Sequence, residues 1–449
     1  MFRKVLVANR GTAAIRIIRA LDALGIAAVA VYSDADRDLP YLVRASEAHP
    51  IGPGPARDSY LDQEKLLEIA HRSGADAVHP GYGFLAENAA FAHRVRDAGL
   101  AFIGPSPRHI ETMGEKTAAR ALVAREGMPL ARGSAMLGED ATVAERAASE
   151  IGYPVLIKPA AGGGGIGMIA ARDAAELHKG LDRARSLALR SFGRAEVYLE
   201  KLIDRPRHIE IQILADQHGA VRHLFERDCS LQRRHQKIVE EAIAPGITRT
   251  EIEAIAARTV AVLQALGYDN IGTVELLRGA DGAFSFLEVN TRLQVEHAVT
   301  EMLLGVDLVA AQIRAAAGEH LDDILPATLA PRGHVIEARV YAEDPKTFFP
   351  SPGLLTRFRP PAESQHLRVD TGYAEGCTVT PFYDPMLAKV IAFAPDRSTA
   401  ITRLAEALST FEIEGPKSNI PFLLQALADQ RFRAGAVHTG LAAEISRSS

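Results

Sequence analysis

Two glutamates and an asparagine, Glu275, Glu288 and Asn290, stand in a stretch whose pattern sets them face to face. The apolar runs Thr273-Val274-Glu275-Leu276-Leu277 and Ala283-Phe284-Ser285-Phe286-Leu287-Glu288 flank Asp281-Gly282, a strong two-residue hairpin signal. A turn centred there pairs Glu275 directly with Glu288. Carboxylates opposed across an antiparallel ladder repel each other, and a bridging cation turns that liability into a site. Asn290 follows Glu288 by two residues and so shares its face. Oxygen-only ligands of this kind suit Mg²⁺ shared with phosphates. A solvated hairpin with incidental acids is the alternative, and the hairpin alone does not choose between them. If the chain stays extended, Arg292, Gln294 and Glu296 continue the same face, backed by apolar Val289, Leu293 and Val295. That order, metal ligands, then cation, then base, lays a reaction path along one strand, unless Asn290-Thr291-Arg292 turns and breaks the alternation.

A second cluster surrounds Lys158. Val155-Leu156-Ile157-Lys158 reads as a strand, Gly162-Gly163-Gly164-Gly165-Ile166-Gly167 as a loop, and Met168-Ile169-Ala170-Ala171 as the returning strand. So many glycines exceed the needs of one turn and free backbone N–H groups to wrap phosphate oxygens, with a plain linker as the rival. The loop is not a Walker motif, because no Gly-Lys-Ser/Thr follows and it enters a strand instead of a helix. Lys158 and Lys116 are candidate phosphate cations, although a single lysine is more often a surface residue. Arg233-Arg234-His235-Gln236-Lys237 is the densest basic cluster, and in a net-acidic chain it suggests a small-anion site.

The elements that must position these residues follow from periodicity. Lys4–Asn9 is a buried-strand run, Ala13–Leu24 is helical and Ala27–Tyr32 is a second apolar run, a βαβ unit that continues more loosely through Leu66–Arg72, Ala77-Val78-His79 and Phe102-Ile103-Gly104. Residues 1–115 therefore form a parallel α/β domain. Its first turn, Ala8-Asn9-Arg10-Gly11-Thr12-Ala13, lacks the glycines of a dinucleotide fingerprint. Residues 130–203 form a small segment of two helical stretches and a strand–glycine loop–strand. Short strands, with helices at Glu251–Leu266 and Gly305–Ala317, make the remainder α+β. Over 449 residues, 51 basic side chains against 56 acidic give a net charge of −5, which leaves no footprint for nucleic acid or membrane. No apolar run reaches the ~20 residues of a membrane span, and the start carries no signal-peptide pattern. Two distant cysteines, Cys229 and Cys377, argue for a reducing, cytoplasmic setting and against a zinc site.

These stretches, taken together, resemble the biotin carboxylases of the ATP-grasp superfamily over essentially the whole chain. The resemblance is carried by Val7-Ala8-Asn9-Arg10-Gly11, by His79-Pro80-Gly81-Tyr82-Gly83-Phe84-Leu85-Ala86-Glu87-Asn88, and by Lys158 with its glycine loop. It continues in Arg207-His208-Ile209-Glu210, Glu226-Arg227-Asp228-Cys229-Ser230, Gln232–Lys237, Glu288–His297 and Ala342-Glu343-Asp344-Pro345. It implies a parallel-sheet N-terminal domain, an ATP-grasp lid with a mobile glycine flap over 130–203, an ATP-grasp core over 204–330 and a β-rich C-terminal domain over 331–446. In the roles it implies, Glu275, Glu288 and Asn290 hold Mg²⁺ or Mn²⁺. Lys116, Lys158 and the flap glycines Gly163, Gly164 and Gly165 bind ATP phosphates, while Glu200, Lys201, Ile203, His208, Gln232 and His235 surround the nucleoside. Lys237, Arg292, Gln294 and the Val295 backbone orient bicarbonate, Glu296 is the base, and Arg339 stabilises a biotin enolate beside Tyr82.

The sequence departs from the family pattern in places. Thr12-Ala13 replaces the usual Glu-Ile, Glu115 a usual Asp, and Ile243 and Ala298 usual prolines. Ile166 stands where the acyl-CoA carboxylase branch commonly has a cation, and resembles the urea-carboxylase branch instead. No Ala-Met-Lys-Met biotin-acceptor run occurs, and the nearest, Asp384-Pro385-Met386-Leu387-Ala388-Lys389, has the wrong spacing. The resemblance thus implies action on biotin borne by a separate carrier protein, with a carboxyltransferase partner, within an acetyl-CoA or related acyl-CoA carboxylase of fatty acid biosynthesis, and as a homodimer. An ATP-grasp ligase for another carboxylate is opposed by the Arg292, Gln294, Glu296 and Arg339 set. A catalytically silent regulatory protein that merely binds ATP would have to lose a metal or base residue, and none is lost.

Overall fold

A computed structural model describes residues 1–138, 140–160 and 167–447. The expected flap residues Gly163, Gly164, Gly165 and Ile166 lie outside them. The N-terminal sheet is parallel and five-stranded, in the spatial order Glu47–Gly52, Ala27–Ser33, Lys4–Val7, Ala77–His79, Ala101–Phe102. The chain order reverses between Lys4–Val7 and Ala77–His79. In such sheets the crevice beyond the carboxyl ends of the two strands at the reversal is a natural ligand site. Both flanking loops there carry family motifs. Asn9 Nδ2 donates to the carbonyls of Pro80 (2.7 Å) and Tyr82 (2.8 Å), which ties one loop to the other. Gly81 has a left-handed backbone (φ 67°), and a Cβ there would stand 2.8 Å from Asn9 Nδ2. Glycine is needed at that point, and the lock aims Tyr82 into the crevice.

An eight-stranded antiparallel sheet forms the middle of the molecule. Its order is Phe284–Asn290, Asn270–Arg278, Arg207–Ala215, Val221–Arg233, Gln236–Ala242, His334–Tyr341, Met386–Ala394, Leu367–Thr371. It runs unbroken from the expected metal hairpin to the strands of the C-terminal half. A separate three-stranded sheet of Val155–Pro159, Ile169–Ala171 and Val197–Lys201 packs with helices Ala141–Ile151 and Ala174–Phe192 around its own apolar cluster.

The expected hairpin forms, by a route the sequence pattern did not indicate. Arg278 pairs with Phe284 and Gly279 N–H bonds the Ala283 carbonyl at 3.0 Å, which leaves the three-residue loop Ala280-Asp281-Gly282 with Gly282 at φ 83°. An odd loop shifts the register by one. A bulge between Leu276 and Glu275 shifts it back, so Glu275 pairs with Glu288 after all.

Helix Gly11–Ala23 is buried nearly all round between the parallel sheet and the C-terminal strands. Its start touches Gly372 so closely that a Cβ there would lie 2.3 Å from the Gly11 carbonyl carbon. Backbone on both sides leaves nothing to yield. Gly372→Ala should therefore cost about 1–3 kcal/mol of stability, read as a lowered melting temperature. An unchanged melting temperature would mean that this contact opens without cost.

Candidate active site

Three acids occupy one row of the large sheet. Glu288 pairs with Glu275, Glu275 with Glu210, and Glu210 with Arg227, across four adjacent strands. Neighbours in such a row stand about 5 Å apart, where two unpaired charges at an effective dielectric of about 20 repel by roughly 3 kcal/mol. The row therefore requires cations, and Lys237 is the principal one. Its ammonium reaches Glu210 (2.7 Å), Glu275 (2.8 Å) and Glu296 (2.6 Å) at once. Arg227, wholly buried, donates to Glu210 at 2.5 Å. Lys116 stands 3.3 Å from Glu288.

Lys237 reaches this position because the basic cluster is divided by a turn. Arg233 pairs with Gln236, and the two residues between them, Arg234 and His235, both take positive φ (50° and 66°). This left-handed pair favours glycine and asparagine, so its occurrence here marks a constrained turn at a site. The cluster does not act as one anion site, as its density suggested. Arg233 leaves the cleft for Glu343 and lies over the Phe348 ring at 4.3 Å, while His235, Gln236 and Lys237 line the cleft.

Strand geometry stops at Asn290, and Thr291–Glu296 is an irregular loop leading to helix His297–Leu304. The continuous extended face expected from Glu288 to Glu296 is broken there. The loop nevertheless returns its side chains to one cleft of about 680 Å³, lined by Tyr82, His208, Glu275, Glu288, Asn290, Arg292, Gln294, Val295, Glu296 and Arg339. Arg292 is held by Glu87 (2.7 Å), Gln294 (2.9 Å) and Asn290 (3.1 Å). Glu87 also accepts from the Thr291 N–H at 3.1 Å. Glu296 is completely buried, with Lys237 on one oxygen and Arg339 on the other (2.9 Å). Burial would raise its pKa, but Lys237 and Arg339 hold it well below the usual carboxylate range. Lys237 and His208 lower Glu275 in the same way against burial.

Of the remaining expected nucleotide residues, Lys158, Glu200 and Lys201 lie on the three-stranded sheet, and His208 and Gln232 on the large one. Glu200 accepts from Lys158 (2.8 Å) and pairs with Arg120 (2.6 Å). Burial lowers the Lys158 pKa against the pull of Glu200. Lys201 Nζ is spent on the carbonyls of Gly152 and Tyr153, each at 2.8 Å, so its side chain ties the lid backbone. Ile203 lies against the hairpin turn at Gly279. Gln232 Nε2 donates to His208 Nδ1 at 2.9 Å, and His208 Nε2 stands 3.2 Å from Glu275.

For a divalent metal, the donor set passes the chemical test. Glu275 and Glu288 are opposed in register, and Asn290 shares their face and offers its Oδ1, which Arg292 holds at 3.1 Å. These are hard oxygen donors of the kind Mg²⁺ takes in company with phosphates.

Several functional neighbours were not singled out by sequence reading. Glu210 and Glu87 fell inside quoted motifs, yet no spacing rule links them to Lys237 or Arg292. Glu240 and Glu337 stand opposite each other on adjacent strands, both wholly buried. Glu240 bonds Arg339 at 2.5 Å. Burial pushes Glu240 up to about 7 against Arg339, and Glu337 up to about 8 against Lys389.

Comparison with known proteins decides the family. Residues 1–110 match the model for the biotin carboxylase N-terminal domain, 115–324 the carbamoyl-phosphate synthase L chain ATP-binding domain, and 337–444 the biotin carboxylase C-terminal domain. A biotin carboxylase of Halalkalibacterium halodurans is 49% identical over 439 residues, covering 98% of this chain and 97% of that one. The chain belongs to the biotin carboxylase family. It is an ATP-grasp ligase by that membership. A pyruvate carboxylase component of Methanothermobacter thermautotrophicus is 45% identical over 448 residues, covering 100% of this chain and 91% of that one. Among solved structures, the biotin carboxylase domain dimer of Hydrogenobacter thermophilus 2-oxoglutarate carboxylase, in complex with MgADP, ADP and bicarbonate, superposes with a TM-score of 0.94 at 43% identity, covering 99% and 98% of the two chains.

The raised pKa of Glu337 has a stability consequence. The folded chain keeps its proton over a range where the unfolded chain loses it. That contribution is complete below about pH 4.5 and is lost as pH climbs toward about 8. Glu337→Gln cannot titrate, so its melting temperature should gain on the wild type between about pH 5 and about pH 8. Parallel curves would show that Glu337 is ionised throughout.

Proposed function

We propose that this chain uses MgATP and bicarbonate to carboxylate the ureido nitrogen of biotin, and that the biotin is borne by a separate carrier protein. The observation that carries this reading is the position of Glu296, with one oxygen on Lys237 and the other on Arg339 in the cleft that also holds Glu275, Glu288 and Arg292. Glu296 takes the bicarbonate proton, and Arg292, Lys237 and the Val295 backbone hold the anion. Bicarbonate oxygen then attacks the γ-phosphorus and ADP leaves. Glu275, Glu288 and Asn290 would hold the Mg²⁺, which neutralises charge growing on phosphoryl oxygens. Lys116 and Lys158 add fixed cations there. Carboxyphosphate divides into CO₂ and phosphate, phosphate takes the ureido proton, and Arg339 stabilises the enolate that attacks CO₂.

A carboxylate as weakly basic as Glu296, clamped by two cations, is a poor base. Substrate anions competing for Lys237 and Arg339 would release it, so the base is turned on by the molecules it serves.

The acceptor of the carboxyl group is an acyl-CoA in our reading. The similarity to a component of a pyruvate carboxylase, together with the resemblance of Ile166 to the urea-carboxylase branch, keeps keto-acid and urea-type partners as alternatives. A homodimeric state fits the domain dimer of the 2-oxoglutarate carboxylase relative, and a carboxyltransferase partner belongs to the same reading. A reducing compartment fits two free, buried cysteines, and no helix among the described residues is long and apolar enough to cross a membrane.

The purified chain should release ADP from MgATP and bicarbonate in a manner stimulated by biotin or a biotinylated carrier. No stimulation would overturn the assignment. Glu296→Ala should lower that turnover by ~10²-fold or more while MgATP binding by calorimetry persists. Full turnover in this variant would move the base elsewhere.

A further inference from the structure

Lys389 ends the run that comes nearest to a biotin-acceptor pattern, yet its place in the fold gives it a different use. It lies on the strand Met386–Ala394 with 1% of its surface exposed, out of reach of any modifying enzyme. Burying an ammonium costs several kcal/mol unless its partners compensate, so those partners indicate what the lysine is for. Asp370 Oδ2 is 3.3 Å away and Glu337 Oε2 is 3.8 Å away. Asp370 already has a two-pronged partner in Arg368, at 2.7 and 2.9 Å. Lys389 Nζ gives its hydrogen bond instead to the main-chain carbonyl of Val295, at 2.6 Å.

That carbonyl belongs to the loop carrying the chemistry. Residues Thr291–Glu296 have no ladder of their own, so their backbone orientation must be set by side chains. Arg292 holds the Leu293 carbonyl at 3.2 Å and His297 Nδ1 the Gln294 carbonyl at 2.7 Å. Burial lowers His297 to about 3, so the ring is neutral, and beside a carbonyl the proton must be on Nδ1. Lys389 completes the series and is the member contributed by the C-terminal half. Because a peptide unit is planar, fixing the Val295 carbonyl also fixes the Glu296 N–H and the position of the Cα from which the Glu296 side chain leaves.

We propose that Lys389 is a positioning residue for bicarbonate: anchored between Asp370 and Glu337, its ammonium pins the Val295 carbonyl and so holds the Val295–Glu296 peptide at the angle that presents Glu296 to the anion beside Lys237 and Arg292. Lys389 touches no reacting atom. The Glu337 carboxyl stands on its inner side, and Arg339 is the register partner of Lys389 on the neighbouring strand. The inference rests on the bicarbonate reading of the loop and adds a residue to it.

Two variants of the full chain test it. Lys389→Met keeps the length and removes the donor. Lys389→Met/Glu337→Gln also replaces the facing carboxyl with an amide, so that position 337 cannot ionise once the ammonium is lost. Each should raise the KM for bicarbonate by about tenfold or more while the Kd for MgATP moves by less than about twofold. An unchanged bicarbonate KM overturns the proposal, as does an equal loss of MgATP affinity. Recovery of the bicarbonate KM in the double variant also overturns it, because the lysine would then be only a charge partner. Failure of both variants to fold assigns Lys389 to stability and likewise overturns it. The wild type is measured alongside: absence of biotin-stimulated turnover there would defeat the bicarbonate reading itself, a separate result.

Discussion

Like charges held in strand register are the constraint on which this molecule is built. Hydrogen-bonded pairing fixes Glu288, Glu275 and Glu210 as neighbours, and the ladder cannot move them apart without breaking. Every cation nearby answers to that row. Lys237 spans three carboxylates, Arg227 is buried whole to meet Glu210, and Lys116 reaches Glu288 from outside the sheet. A buried ion pair contributes little net stability once desolvation is counted. In the proposed reaction, the row is therefore better understood as a device for holding positive charge where phosphates would need it.

The same constraint explains why the cleft is rich in strongly shifted groups. Glu296 and Glu275 are held far down by nearby cations, while Glu240 and Glu337, on the paired strands Gln236–Ala242 and His334–Tyr341, are pushed up by burial. Four carboxyl groups thus divide into two that cations hold down and two that burial raises. Environments that separate like groups in this manner are the usual mark of acid–base machinery.

Much of this was legible in the sequence, for specific reasons. Glu275 opposite Glu288 followed from turn position and a period of two. Yet the pairing survives only because a three-residue loop and a bulge displace the register in opposite senses, and no local pattern announces such a cancellation. The break after Asn290 escaped strand logic, since Arg292, Gln294 and Glu296 continue an alternating pattern that the backbone does not follow. Side chains from Glu87, His297 and Lys389 fix that loop, and two of these come from distant parts of the chain. Arg233 misled because density of charge in sequence ignores that successive strand residues point to opposite faces. Glu240 and Glu337 gave no signal, and Lys389 only that of a mis-spaced acceptor run, as buried charges within strands look like ordinary interruptions until the fold brings them together.

One feature of the large sheet reaches beyond architecture. Lys237 and Arg339 lie on strands that are immediate partners, about 4.8 Å apart. In the proposed reaction, the group that meets the anion at the start and the group that meets the biotin ring at the end belong to one hydrogen-bonded ladder. On that reading, CO₂ released between them would lie within reach of the ring, and its chance of escape would be set by how fast the ring collapses onto it.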